Sequence, residues 1–418
     1  MSSRFLLLAA YPFTALSSAI AGVVAPLSSS VSKANESEQN SAHDFSLGGI
    51  LFPHLHFQAA WGRTSIDHGE AFAAGHHDPF SNGWTVQGFE LGLSGRFSEH
   101  VESFATWHGF WESESPHSFD SEFEEYFLKL KNLPGRLELR GGQYLNRFGL
   151  HNSVHRHGWD WTDNYLVSGR ILGEHGLVTR GAEVTWKMPV PWSSTLSASY
   201  GRIHSESHGP HEEESEPLFE AEGAMFTDNL TSVLWTNSWN LNDFHQFRGG
   251  LAAAWGENVW GRTTSLYGAY VQYEWRENGL ESGGDYFRWR TEVMWRDADV
   301  MSGHPPGEEE EEEGEEGHED ESMPGSINDW GLYSSAVWGK ALRRGILEAG
   351  LRYDYISGER DAELLQRHRI SPVLTYYFDP RHTAFVRLQA NFDDIKRHEH
   401  EESVWLSFGV NLGGAEVR

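Results

Sequence analysis

Imidazoles and carboxylates, set a few residues apart, are the groups in this chain that could do chemistry. His76 and His77 precede Asp78, while His151, His155 and His157 fall in one stretch. His204, His208 and His211 run into Glu212, Glu213 and Glu214; His304 and His318 flank a glutamate run; His398 and His400 alternate with Glu399 and Glu401. Nitrogen and oxygen donors together suit Zn²⁺ and similar borderline ions. The spacing is too loose for a preformed tetrahedral site. The expectation is therefore weak binding of Zn²⁺ by His76, His77, His204, His208, His211, His304, His318, His398 and His400, with no cofactor required. The plainer alternative is that these residues are solvated acidic surface. No cysteine is present, so thiolate metal sites, disulfides and thiol nucleophiles are excluded. There is no G-x-S-x-G elbow, and no spacing singles out a nucleophile with its base, so an enzyme is not expected.

What must position these residues is read from the pattern around them. Residues 1–21 read as a signal peptide, with Arg4 as the basic region, an apolar run from Phe5 to Ala10 and an Ala19-Ile20-Ala21 cleavage pattern. A polar, flexible lead-in occupies residues 22–46. No later stretch is long and apolar enough for a membrane-spanning helix. Alternation dominates instead. Ala384, Val386, Leu388, Ala390 and Phe392 point one way, and Arg387, Gln389, Asn391 and Asp393 the other. The same period recurs around Leu347 to Tyr355, Phe287 to Trp295 and Tyr267 to Trp275, and about sixteen such strands fit between residue 47 and the end. His54 and His56 share the inward face of the first. Many reach the roughly 9 to 11 residues that a tilted strand needs to cross a bilayer.

The links alternate as well. Residues 98–100, the Pro134-Gly135 turn, 189–193 and 379–381 are short, whereas 61–83, 147–177, 205–223, 298–327 and 394–402 are long inserts. Short turns on one side and long loops on the other imply an all-β, transmembrane antiparallel barrel filling residues 47–418, with outer-membrane lipids around it. The acidic stretch 298–327 then becomes an extracellular loop. A barrel also explains how Trp84, Trp111, Trp186, Trp255, Trp275, Trp295, Trp330 and Trp338 can sit near strand ends, as interfacial girdles. The formal charge of −29 repels nucleic acid and attracts cations. Small solutes or divalent cations are the expected partners, and a homotrimer is an assembly compatible with such a barrel.

Segment 147–177 follows the fifth strand and is rich in glycine and aromatics, which predicts a loop folded into the lumen to narrow it. His151, His155, His157, Trp159 and Asp163 are its candidate pore residues, facing Arg288, Arg290 and Arg352 from the wall. Further wall residues Arg140, Arg248, Arg369 and Arg387 are mixed with Glu90, Glu183, Glu274, Glu292 and Asp354, so neither sign dominates, and the charges are expected to pair across a water-filled lumen.

The stretch LRGGQYLNRFGLHNSVHRHGWDWTDNYLVSGRILGEHGL, residues 139–177, resembles the central motif of uncharacterised porin-like outer-membrane proteins. These are relatives of phosphate-selective porins, some labelled zinc-regulated TonB-dependent receptors. The matching residues are Phe148-Gly149, Asn152, His155, His157, Trp159, Asp163, Leu172-Gly173-Glu174 and Gly176-Leu177. The resemblance implies a passive, porin-like channel for small solutes. An energised receptor would need 22 strands and a plug, for which no room precedes residue 47; a structural or adhesive barrel is the other alternative. We predict that an epitope inserted within residues 310–316 is labelled by antibody on intact cells. Labelling only after the outer membrane is permeabilised would invert the topology.

Overall fold

Alternating sequences pair into ladders only if both faces of each strand find a suitable environment, and here the sheet closes on itself. The computed structural model describes residues 46–65, 74–75, 78–79, 82–111, 119–204, 222–281, 283–302, 323–360, 362, 364–396 and 400–413. The sixteen antiparallel strands are β1 Leu51–Thr64, β2 Gly83–Arg96, β3 Val101–Trp111, β4 Phe119–Leu133, β5 Leu137–Leu145, β6 Val178–Lys187, β7 Ser193–Ile203, β8 Phe226–Asn242, β9 His245–Asn258, β10 Thr263–Arg276, β11 Tyr286–Met301, β12 Pro324–Leu342, β13 Gly345–Ile356, β14 Arg367–Tyr377, β15 Ala384–Ile395 and β16 Glu401–Gly413. Each pairs with its neighbours in sequence, and β1 pairs with β16, Phe57 lying opposite Val410. Closure leaves no edge strand to aggregate.

Strand number agrees with the alternation; strand ends are longer. β4 starts at Phe119 rather than near residue 123, β8 runs on to Asn242, and β12 spans Pro324–Leu342. The reason is that pairing continues into the aqueous layers, where the apolar alternation that marks a strand in the sequence has faded. Two links also depart from the short-and-long rule. The β9–β10 link is only residues 259–262, and the β10–β11 link extends over 277–285.

The outer face is apolar at mid-height. Leu128, Leu251, Leu351, Leu374, Leu388 and Leu406 are exposed there. Trp61 pairs with Trp84 and Trp295 with Trp330 toward the long-loop ends, and Trp186 and Trp338 lie toward the short-turn ends. An apolar belt between aromatic girdles on a closed barrel places the protein in the outer membrane, where lipid covers what water would not.

The inner face is polar, and among the register irregularities of the ladder two bulges bear on the lumen near the strap. In β2, Gln58 pairs with Gly88 but Ala59 with Val86, so Gln87 is the extra residue. In β4, Thr106 pairs with Glu125 but Trp107 with Phe123, so Glu124 is extra. A bulge re-aims side chains. Its effect in β4 is that consecutive carboxylates, Glu124 and Glu125, both turn toward the lumen and meet the same imidazole, that of His155. We predict that Leu388→Lys, flanked across the ladder by the lipid-facing Leu374 and Leu406, lowers stability by about 2 to 4 kcal/mol. Equilibrium unfolding in lipid vesicles measures it, and an unchanged midpoint would mean that this face is not in the bilayer.

Candidate functional site

Segment 146–177, between β5 and β6, folds into the barrel as a strap. Its neck is closed by backbone and amide together. Asn146 N–H donates to Leu177 O at 2.8 Å, and the Asn152 amide donates to Asn146 O at 2.7 Å and Leu177 O at 3.0 Å. In return Leu177 N–H donates to Asn152 Oδ1 at 2.9 Å. Gly149 turns the strap inward at φ +71°, and a Cβ there would lie 1.7 Å from Glu292 Oε1. Only glycine allows that approach. It brings Leu150 N–H to Glu292 at 2.9 Å, beside the Tyr333 hydroxyl, which donates to the same carboxylate at 3.0 Å.

At the apex Asp163 is buried among four donors. Arg352 reaches Oδ1 at 2.8 Å and Gln389 reaches it at 2.6 Å; Arg369 reaches Oδ2 at 2.9 Å and Asn391 at 2.8 Å. Arg387 donates to Trp161 O at 2.7 Å and Trp159 O at 2.8 Å, and Gln87 to Thr162 O at 2.7 Å. Asp160 pairs with Arg288 and, at 3.0 Å, with Arg290. Helix α1, Leu166–Leu172, then buries Leu166, Val167, Ile171 and Leu172 against β11, β12 and β13. Asp78, from the β1–β2 link, accepts from Ala74 N–H, Gly75 N–H and Asn164 N–H at 2.9, 3.0 and 2.9 Å, which seats that link on the strap.

Charge states in the strap follow from these contacts. Burial penalises the Asp163 carboxylate, but Arg352 and Arg369 outweigh it and hold the group below the usual carboxylate range; Arg288 and Arg290 do the same for Asp160. A carboxyl held below its unfolded value contributes stability that is complete above about pH 4 and is lost as pH falls through the folded value. His151 is pushed down to about 3 by burial first, despite its hydrogen bond to Asn164. It is neutral at physiological pH, and its contribution falls as pH drops from about 6.5 toward 3.

The strap divides the lumen. Toward β1–β4, His155 Nε2 donates to Glu125 Oε2 at 2.8 Å, and its Nδ1 lies 3.4 Å from Glu90 Oε2 and 3.5 Å from Glu124 Oε2. His157 Nδ1 is 3.2 Å from Glu90 Oε2, and its ring stacks on His56 with centroids 3.6 Å apart. Toward β8–β11 the strap touches the wall near its neck, where Ser232 donates to Asn146 at 2.9 Å and Leu150 meets Glu292. It touches again at Asp160 with Arg290, but it stands off the wall between these contacts. A cavity of about 280 Å³ lies there, lined by Arg147, His151, Trp159, Asp160, Thr236, Arg248, Gln272 and Arg290. A second, of about 290 Å³, continues toward the short-turn end and shares Thr236 and Arg248 with the first.

The residues read from the sequence therefore separate. His151, Trp159 and Arg290 line the open side, and Arg288 pairs with Asp160 behind it. Asp163 and Arg352 anchor the apex instead of lining a passage, because a carboxylate facing two guanidinium groups is buried by them. His155 and His157 turn to the β1–β4 wall, drawn by Glu90, Glu124 and Glu125. Arginines of the wall pair mainly with the strap and with neighbouring strands, as Arg140 does with Glu183 at 2.8 Å, rather than across open water. Of the candidate loop ligands, His204 is 4.0 Å from Glu122 and His400 is 3.6 Å from Asp394. His76, His77, His208, His211, His304, His318 and His398 lie outside the described residues. Asp160, Glu124 and Glu125 were not singled out by the sequence. The β4 bulge leaves no mark in composition, whereas Asp160, in a Trp-Asp-Trp run inside an aromatic stretch, is a carboxylate that needed a buried partner.

Closed sixteen-stranded architecture, lipid-facing belt and inward strap define an outer-membrane β-barrel with a porin-like fold. OprB of Pseudomonas putida superimposes over 87% of this chain and 95% of its own, with a TM-score of 0.52 at 10% identity. An anion-selective porin from Comamonas acidovorans does so over 87% and 99%, with a TM-score of 0.50 at 10% identity. Both share the fold. An uncharacterized protein of Aquifex aeolicus is 36% identical over 78 residues, 19% of this chain and 16% of that protein's length. No protein-family model matches the sequence.

We predict that Asp163→Asn destabilises the docked strap by about 3 to 5 kcal/mol, the range for breaking a buried ion pair. The lower end is expected, because Arg352 keeps Asp354 at 2.8 Å and Arg369 keeps Asp393 at 2.9 Å. Limited proteolysis within residues 147–177 should accelerate in the variant; equal cleavage rates would show that this carboxylate does not hold the strap.

Proposed function

We propose that the protein is a passive diffusion channel of the outer membrane for small hydrophilic solutes, and that its passage runs between the strap and strands β8–β11. The observation that carries this reading is the pair of cavities joined at Thr236 and Arg248, on the side where the strap leaves the wall. Toward β13–β15 the strap is bound to the wall by its side chains, and the cavity toward β2–β4 is only about 60 Å³, so solute has the wider side to follow. Wall residues such as Thr236, Gln272 and Ser238 offer hydrogen bonds to a hydrated solute.

Charge on that side leans positive. Arg147 lies 3.5 Å from Glu183, Arg290 pairs with Asp160, and Arg276 with Glu274 at 3.1 Å. Arg248 carries no ion pair or hydrogen bond among the described residues, and it lines both cavities. An unmatched guanidinium at a narrow point raises local anion concentration. A modest preference for small anions over cations follows, argued from Arg248 and not from kinship with any porin.

Planar-bilayer recording in asymmetric KCl tests both parts. Discrete conductance steps are expected, with a reversal potential on the anion-selective side, and Arg248→Glu should move it toward or past zero without changing the fold. Absence of conductance from folded protein would sink the channel. A reversal potential identical in the two proteins would sink the role of Arg248.

A further inference from the structure

We infer that the wall of β2 and β4, with the strap residue His155, forms a binding site for one divalent cation of the borderline class, Zn²⁺ or a similar first-row ion. Its ligands are His155 Nδ1, Glu90 and Glu124, whose donor atoms lie within 4.8 Å of one another. This site is separate from the passage and from the external histidine loops.

Geometry gives the first argument. Ligand atoms bound at about 2.0 to 2.1 Å to a tetrahedral ion stand about 3.3 to 3.4 Å apart. His155 Nδ1 is 3.4 Å from Glu90 Oε2 and 3.5 Å from Glu124 Oε2. Charge-assisted hydrogen bonds are shorter, about 2.7 to 2.9 Å. The separations suit ligands of a common ion better than partners of each other.

Proton placement gives the second. Glu125 is fixed by Leu145 N–H, which donates to its Oε1 at 2.7 Å, and its Oε2 accepts from His155 Nε2 at 2.8 Å. A neutral imidazole with its proton on Nε2 presents a lone pair at Nδ1. That lone pair points at two carboxylate oxygens, an arrangement that is repulsive until a cation stands between them. Carboxylate, imidazole and metal in series is the way a ligating histidine is usually oriented. Phe104, edge-on to His155 with centroids 6.1 Å apart, shields the ring from the other side.

Charge gives the third. Glu90, Glu124 and Glu125 converge on one place, and Arg156, a guanidinium near Glu90 and Glu124, faces Asp78 more strongly. Three carboxylates gathered around one imidazole and a shared guanidinium favour a dication among them. Access exists: a cavity of about 60 Å³, lined by Glu90, Glu124 and His155, extends to Glu122, His175 and His204 near the long-loop end. It holds about one or two waters, enough for the remaining coordination position. Bound there, the ion would tie the strap's 3-10 turn, Arg156–Gly158, to β2 and β4.

The full chain, purified in detergent and stripped with chelator, is titrated with Zn²⁺ against a chromophoric competitor, and its melting temperature is followed. One saturable site per chain is expected, with melting raised by zinc. Glu124→Gln should melt as the stripped wild type does yet bind at least tenfold more weakly and gain nothing from zinc, whereas His204→Ala with His400→Ala should leave the site intact. X-ray absorption of the loaded protein should show a mixed nitrogen and oxygen shell near about 2.0 Å. No zinc-dependent rise in melting, or equal affinity in Glu124→Gln, overturns the site. If that variant does not fold, the absorption spectrum of the wild type decides, and an oxygen-only shell rejects His155 as a ligand.

Discussion

A carboxylate taken out of water costs several kcal/mol unless its lone pairs are matched, and Asp163 is almost fully buried. Its match comes from Arg352 on β13, Arg369 on β14, and Gln389 and Asn391 on β15. Both oxygens are used, each by one guanidinium and one amide. Such a set fixes position and orientation together, since a shift of the apex by one residue would leave two buried arginines facing a side chain of the wrong kind. The rest of the strap inherits its geometry from this point. Thr162 meets Gln389 and Ser407, Asp160 meets β11, and α1 is laid across β11 to β13 with its apolar side down. The neck at Asn152 closes the other end, so the strap is held at both ends and only its sides are free to differ.

Those sides differ because the walls they face differ in side-chain size and charge. On β9 and β10 the inward positions include Gly250, Ala252, Ala254 and Gly268. Phe148 fills the space against Gly268 and Ala252 near the neck, and Tyr270 leans over Gly250. Below them the wall recedes to Thr236 and Arg248, and volume remains. On β2 and β4 two bulges push extra polar side chains inward, and the strap answers with His155 and His157. One strap thus makes a dry anchor, an acidic contact and an open cavity, from wall positions no more than a few strands apart.

Much of the frame was legible in the sequence, for a physical reason. A barrel strand must be apolar toward lipid and polar toward the lumen, and this writes period two into Leu388 and its neighbours whatever their partners. Strand number, closure and the inward course of 147–177 follow from that period and from link length. The motif residues Gly149, Asn152 and Asp163 were also visible, each because a backbone or charge constraint admits few substitutes. Direction within the lumen was not legible. Asp163 and His157 are six residues apart and read alike as polar groups in an aromatic segment, yet one faces β13 to β15 and the other β1 and β2. That difference is set by Glu90 and by the extra residue in β4, and a bulge alters register without altering composition. Strand ends were blurred for a related reason, since the pairing of β8 and β12 continues where lipid no longer selects for apolar side chains.

The whole-chain charge and the charges around Arg248 lean in opposite directions, because they come from different parts of the chain. Eleven acidic residues between Glu308 and Glu321 supply more than a third of the net −29. They fall in the link between β11 and β12, far along the chain from the strap. Charges in water are screened over about 8 Å at physiological ionic strength, whereas charges within a narrow, protein-walled space are screened much less. Charges carried by that link therefore act through a field that salt weakens, and a charge on the lumen wall, such as Arg248, acts through a field that salt weakens little. The strap carboxylates Asp160 and Asp163 are instead tied to wall arginines, so a change at either must be answered on β11 or on β13 and β14.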